Sequence, residues 1–175
     1  MFTRNYYKML AAKIAYDGTL YNAKTWNNTD YTVGYNNGMA FCEDNTSAAY
    51  ANIRLLQTSI SSNGGVILGT GDTVSTLDDY KLSGDLITTF TYSSSITKTA
   101  DENGITIQAL YTITNTGDSA FTIKEIGMIC NPSSTYQQTQ YKVLLERTVL
   151  DNPVTIEASG IGQVTYTIRL DFPTA

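Results

Sequence analysis

The most regular stretch of the chain is residues 105–114, where Ile105, Ile107, Ala109, Tyr111 and Ile113 alternate with Thr106, Gln108, Thr112 and Thr114. A period of two sends successive side chains to opposite sides of an extended backbone, so this run predicts a strand with one buried and one wetter face. Asn115, Thr116, Gly117 and Asp118 then supply turn residues, and Phe121 and Ile123 resume the alternation, which predicts an antiparallel hairpin. After Ile123 the phase slips by one. Ile126 and Met128 continue the apolar set while Glu125 occupies a position expected to face inward, and a β-bulge over residues 125–127 would absorb the slip. The same period returns in Tyr141, Val143, Leu145, in Val154, Ile156, Ala158, and in Val164, Tyr166, Ile168, Leu170, Phe172. With the apolar runs at 55–60, 66–68 and 86–96, about eight strands are available. The expected fold is all-β: an antiparallel β-sandwich, jelly-roll or Greek-key like, over residues 51–175.

The first 50 residues follow another pattern. Phe2, Tyr6, Leu10 and Ile14 recur every four residues, Ala11 and Ala12 are good helix formers and Thr3 is a candidate cap, so a short amphipathic helix is expected within residues 1–16. Asp17 and Gly18 break it. The chain to residue 49 is rich in Asn, Tyr, Thr and Gly, the composition of an extended arm with one or two short strands. Seven of the 13 tyrosines fall within the first 50 residues. So many aromatic groups are unlike a flexible linker, which lacks surface to bury.

Composition narrows the chemistry. The 175 residues contain no histidine and two cysteines, Cys42 and Cys130, which removes His-ligated zinc, Ser-His-Asp triads and Cys-His nucleophiles together. Charged residues make up 15%, against about 25% in an average domain, so much of the polar surface must be uncharged. A net charge of -5 argues against direct nucleic-acid or anionic-membrane binding, although Arg4, Lys8, Lys13 and Lys24 against Asp17 make the first 24 residues positive. No apolar run reaches the ~18–20 residues of a membrane span, and two widely spaced cysteines read as free thiols, with one long-range disulfide still open.

Each candidate site has a plainer explanation beside it. Gly69, Thr70, Gly71 and Asp72 follow an apolar strand as a phosphate loop would, but lack the Gly-Lys-Ser/Thr ending, so a tight strand exit is expected. Asp72, Asp78 and Asp79 could offer oxygens to a cation, yet miss the EF-hand spacing and suit turns. The neighbouring carboxylates Asp101/Glu102, Asp78/Asp79 and Glu43/Asp44 sit in polar surroundings that keep both members solvated, so neither enzymatic activity nor a cofactor or metal is expected. Phe2, Tyr6, Tyr21, Trp26, Tyr31 and Tyr35 are the interface candidates. Aromatic groups of this kind anchor subunit contacts, and the Trp26 region would alternatively suit a glycan. Glu125 and Arg147 each interrupt an apolar strand, and since a buried charge persists chiefly when paired, they are expected to meet within the chain or across a subunit boundary.

One series of segments resembles a known layout. Residues 69–72 (GTGD), 78–82 (DDYKL), 111–117 (YTITNTG), 123–128 (IKEIGM), 144–147 (LLER) and 153–156 (PVTI) are similar in order to small β-rich structural proteins of tailed bacteriophages. The resemblance covers about residues 66–172 and omits the N-terminal arm. It implies a non-enzymatic virion protein, made in the host cytoplasm, that forms a ring, collar or tail layer with copies of itself and with portal, tail or capsid proteins. A capsid auxiliary protein and a host-glycan-binding fibre or tail module are the alternatives it leaves open.

Overall fold

The alternating runs become strands, but they are shared between two sheets in an order that the sequence pattern does not announce. The computed structural model describes residues 1–14, 21–33, 64–130 and 143–172. One helix, α1 (Arg4–Ile14), is followed by β1 (Tyr21–Lys24), β2 (Asp30–Val33), β3 (Gly64–Gly69), β4 (Leu86–Ile87), β5 (Phe90–Asp101), β6 (Gly104–Asn115), β7 (Phe121–Cys130), β8 (Val143–Ile156) and β9 (Ile161–Asp171). A four-stranded antiparallel sheet runs β4-β3-β7-β8, a three-stranded one runs β5-β6-β9, and β1-β2 form a hairpin. The two larger sheets make an all-β sandwich-like fold. The expected run at 55–60 lies outside the described residues, as do the boundary at 50/51 and Cys42.

The core lies between the sheets. Val66, Leu68, Ile123, Ile126, Met128 and Ile156 come from one side, and Ala109, Tyr111 and Ile113 from the other, with the Tyr92 ring set edge-on to Tyr111 at 5.4 Å. Each fully buried aliphatic side chain of this kind contributes about 1.5–3 kcal/mol.

Three details differ from expectation. First, β6 and β7 are not a hairpin: β6 pairs with β5 and β9, while β7 pairs with β3 and β8. Residues 116–120 instead carry the chain from one sheet to the other. Second, the runs at 141–145 and 154–158 are not two strands. They belong largely to the single strand β8, in which residues 150–153 stand opposite Lys124 alone, with Ile123 paired to Val154 and Glu125 to Val149. Proline cannot donate to a ladder, and Pro153 lies in this irregular stretch. The phase slip is therefore real but begins at Lys124, and the surplus residues are on β8 instead of at 125–127. Third, β7 is buried at every position from Glu125 to Cys130, because its outer face is also covered. Alternation fades in a strand buried on both sides.

That outer cover is built from residues 70–85, with Leu82 buried, and from α1, with Met9 buried. The helix does not use the Tyr6 and Leu10 stripe for its deepest contacts. Asn5 and Met9, one turn apart, are buried instead. The Asn5 amide takes the place of a neighbouring strand for Lys24: its Nδ2 donates to the Lys24 carbonyl and its Oδ1 accepts from the Lys24 N–H, both at 2.8 Å. Thr3 does not cap the helix through its hydroxyl, which donates to the Leu144 carbonyl at 2.8 Å. Edge strand β8 has free carbonyls, and polar side chains near the N-terminus satisfy them. The described part of the first 50 residues thus packs on its own chain.

All three passages between the sheets, residues 88–89, 116–120 and 157–160, meet at Asn115. This buried side chain donates from Nδ2 to the carbonyls of Ser119 (2.9 Å), Glu157 (3.0 Å) and Ile156 (3.2 Å), and its Oδ1 accepts from Gly117 N–H at 2.9 Å. The Asn115 and Thr116 N–H groups donate to the Gly160 and Thr89 carbonyls. We expect Asn115→Ala to lower unfolding free energy by about 2–3 kcal/mol, since it strands buried carbonyls and an N–H group. Asn115→Asp should fare no better, because a carboxylate cannot donate to three carbonyls; a wild-type urea midpoint in either variant would refute the role.

Candidate functional site: a buried ionic centre beneath a glycine loop

Among the described residues, the buried charged side chains, Glu125, Glu146 and Arg147, all belong to the four-stranded sheet, and two of them meet on its outer face. Across it, Gly69 of β3 is directly opposite Glu125 of β7, and Ile67 and Gly127 are in line with Arg147 of β8. Glu125 and Arg147 are diagonal neighbours on one face. The glycines keep that face open: a Cβ on Gly69 would fall 2.7 Å from Leu82 Cδ1 and 2.8 Å from Glu125 Oε1, and one on Gly127 would come within 3.0 Å of Leu82 and Leu144.

Glu125 and Arg147 meet here. The Arg147 Nε donates to Glu125 Oε2 at 2.7 Å, and both side chains are inaccessible to solvent, at 0% and 1% exposure. Glu125 is then saturated by the covering loop. Its Oε1 accepts from the N–H groups of Gly84 (2.8 Å) and Gly71 (3.1 Å), and its Oε2 accepts from the N–H (3.1 Å) and hydroxyl (3.2 Å) of Ser83. The guanidinium continues outward: Nη1 donates to Asp79 Oδ2 at 2.7 Å, and Nη2 donates to the Thr73 carbonyl at 2.6 Å and to Ser83 Oγ at 2.7 Å. Asp79 also accepts from the Thr76 N–H and hydroxyl, so it closes a local turn while it holds the arginine.

Titration follows from these contacts. Burial by itself would raise the Glu125 pKa, but the Gly84 and Ser83 N–H groups and the Arg147 guanidinium outweigh it and hold the carboxyl below its usual range. Asp79 behaves alike, with burial overcome by Thr76 and Arg147. Arg147 loses solvation yet has its pKa raised by Asp79 and Glu125. Nearby, Glu146 goes the other way: burial raises its pKa despite the Met1 ammonium at 2.5 Å and the Thr148 hydroxyl.

The Gly69–Asp72 stretch therefore does bind an anion through its backbone, and the anion is the protein's own Glu125. Glu125 accepts from five donors and Arg147 donates to four acceptors, all within the chain. The centre fastens residues 70–85 to the sheet. The remaining acidic candidates are dispersed: Asp72 meets Lys124, Asp78 meets Arg4, and Asp101, drawn down to about 2 by Arg169 and the Asn103 N–H, lies on the other sheet. Glu43 and Asp44 are outside the described residues.

The aromatic candidates divide. Phe2 stacks on Tyr6 with ring centroids 4.1 Å apart and packs against the core of its own chain. Trp26 is half-buried in the turn joining β1 to β2. Tyr21 and Tyr31 are placed in the β1-β2 pair, opposite Val33 and Ala23, and Tyr35 lies outside the described residues. Cys130 is a buried free thiol whose pKa burial pushes far up. Sequence reasoning missed Ser83, Gly84 and the ionic role of Asp79; the paired glycines were the available signal, but what fills their loop stands more than fifty residues further along.

No family model matches the chain, no curated protein matches it, and no solved structure matches it.

Glu125→Leu or Arg147→Met alone is expected to cost about 3–5 kcal/mol, because Arg147→Met leaves the Glu125 carboxylate buried without a counterion and Glu125→Leu leaves the buried guanidinium with Asp79 alone. The double variant should lose clearly less than the sum; additive losses in urea unfolding would show that the two charges are not coupled. The low folded pKa of Glu125 gives stability that is complete above the ordinary carboxylate range near ~4 and disappears as pH falls through the lower folded value. Glu125→Gln should therefore flatten the acid limb of a stability-versus-pH curve.

Proposed function

We propose that this chain is a non-enzymatic structural protein of a tailed-phage particle, assembling by subunit–subunit contact into a ring, collar or tail layer. Its partners in this reading are copies of itself and neighbouring portal, tail or capsid proteins. One observation carries most of the weight: the buried Glu125–Arg147 centre is hydrogen-bonded to the loop that covers it, so the chain's best-built polar centre serves to fix that loop on the sheet. The exposed face of β5-β6-β9 adds support. Thr91, Ser93, Ser95, Thr97, Thr165 and Thr167 line it, and its charges gather at one end, where Arg169 pairs with Asp101 and Asp171. Uncharged hydroxyl surface is inexpensive to desolvate when covered by a neighbour. The ordered series of segments from GTGD to PVTI agrees with the same role.

Light scattering and negative-stain imaging of the purified full chain should reveal assemblies larger than one chain. A monodisperse monomer that binds glycans, with binding abolished in Trp26→Ala, would replace this reading with a recognition module.

A further inference from the structure

The two sheets treat their edges differently. In the four-stranded sheet, β4 is only two residues long, and the outer edge of β8 is capped by the chain itself: Phe2 bridges to Glu146, Thr25 bridges to Val143, the Thr3 N–H donates to the Leu145 carbonyl and the Arg147 N–H to the Met1 carbonyl. In the three-stranded sheet, β5 and β9 each have one strand neighbour among the described residues, β6. An uncovered edge offers a row of unpaired N–H and C=O groups that templates another strand, and lysine or extreme shortness is the usual protection. β5 carries Lys98. β9 is eleven residues long and carries no lysine, and its two charges, Arg169 and Asp171, pair with each other at one end of the strand. The large exposed apolar side chains of this sheet also gather there: Ile161 is 69% exposed, Leu170 50%, and Phe172, directly after the strand, 48%.

We propose that β9 is a self-association edge, which pairs antiparallel with β9 of a second copy about a two-fold axis at Tyr166. The proposal rests on the self-assembling role argued above and gives it a surface. The sequence of β9 is what selects a second copy as the occupant. Tyr166 is the midpoint of Ile161–Asp171, so an axis there pairs the strand over its full length. Val164 then meets Ile168 of the second copy on the inner face, and Thr165 meets Thr167 on the outer face. Gln163 meets Arg169, Gly162 stands opposite Leu170 with Ile156 of its own chain filling the space beside it, and Ile161 meets Asp171 at the strand ends. Around the axis apolar faces apolar and hydroxyl faces hydroxyl, and nowhere along the strand do like charges oppose each other; such pairings stabilise antiparallel neighbours. The same operation on β5 about Ser95 would place Tyr92 against Lys98 and Ser94 against Ile96, a poorer match. The product is a continuous six-stranded antiparallel sheet. A two-fold contact closes on itself, so a ring or layer would add a second, different contact to this dimer.

The test exploits the Thr165–Thr167 pairing. Thr165→Lys/Thr167→Lys and Thr165→Glu/Thr167→Glu each bring like charges together across the axis, on exposed positions that leave the fold intact by circular dichroism. Each variant alone should lose the wild-type dimer, with at least a tenfold weaker association by light scattering or sedimentation, and an equimolar mixture should restore it as a heterodimer sensitive to salt. Ser95→Lys/Thr97→Lys on β5 should leave association unchanged. Variants that associate as wild type does would overturn the β9 contact while leaving self-assembly standing. A wild-type chain that stays monomeric at several hundred micromolar would overturn both, and a dimer that grows no further would remove the ring or layer alone.

Discussion

A charge buried on the wrong side of a sheet organises this molecule. Glu125 points away from the sandwich core, into a place where an unpaired carboxylate could not persist, and the rest of the outer layer is arranged to keep it ionised. Arg147 supplies the opposite charge from the adjacent strand, and the N–H groups of Gly71, Ser83 and Gly84 supply the rest. That demand explains why residues 70–85, with little regular structure of their own, lie flat on the sheet, and why glycine occupies positions 69, 71 and 84. At Gly71 a Cβ would fall 2.0 Å from Ser83 Oγ, and at Gly84 it would fall 2.2 Å from Gly71 N, so the loop cannot approach the carboxylate with side chains there. Desolvating an ion pair is expensive, and such a centre is better understood as fixing one arrangement of the loop than as adding net stability over an apolar alternative.

The centre also links layers. Arg147 holds Asp79, whose neighbour Asp78 meets Arg4 at the start of α1, and the Arg4 N–H donates to the Leu77 carbonyl. Helix, loop and sheet are therefore joined through a few successive polar contacts, with the exposed Arg4–Asp78 pair contributing little and the buried members most. The helix in turn lays the N-terminal residues along β8. The same set of contacts that neutralises Glu125 thus helps to cover the β8 edge of the four-stranded sheet.

Much of the fold could be read in the residue pattern, for reasons that also mark where reading fails. β6 and β9 keep a strict period because each has one wet face, and the pattern gives them nearly residue for residue. β7 loses its period beyond Ile123 because both faces are covered, and β8 looked like two strands because Pro153 interrupts it. Asn115 and Gly117 have the chemistry of a hairpin turn, and Asn115 does bond locally to Gly117 and Ser119, but its amide also reaches the carbonyls of residues 156 and 157, and no local signal distinguishes a hairpin from a passage between sheets. The Glu125–Arg147 pair was legible since charge inside an apolar strand demands a counterion. Its cradle was not, because backbone N–H groups carry no residue identity, and glycine pairs mark only that something approaches closely.

The passages that converge on Asn115 have a kinetic meaning. The chain delivers its strands in pairs, β3 and β4 to one sheet, β5 and β6 to the other, β7 and β8 back to the first, with β9 last. Pairs such as β5 and β6, joined by a two-residue turn, close quickly and locally. The pairings of β3 with β7 and of β6 with β9 instead require loops of roughly fifty residues to close before any contact rewards them. Assembly of the sandwich is therefore governed by these late, non-local closures, and the Asn115 junction can form only when all three passages have arrived. Until then β6 has β5 alone beside it, and its second neighbour, β9, is still to be delivered.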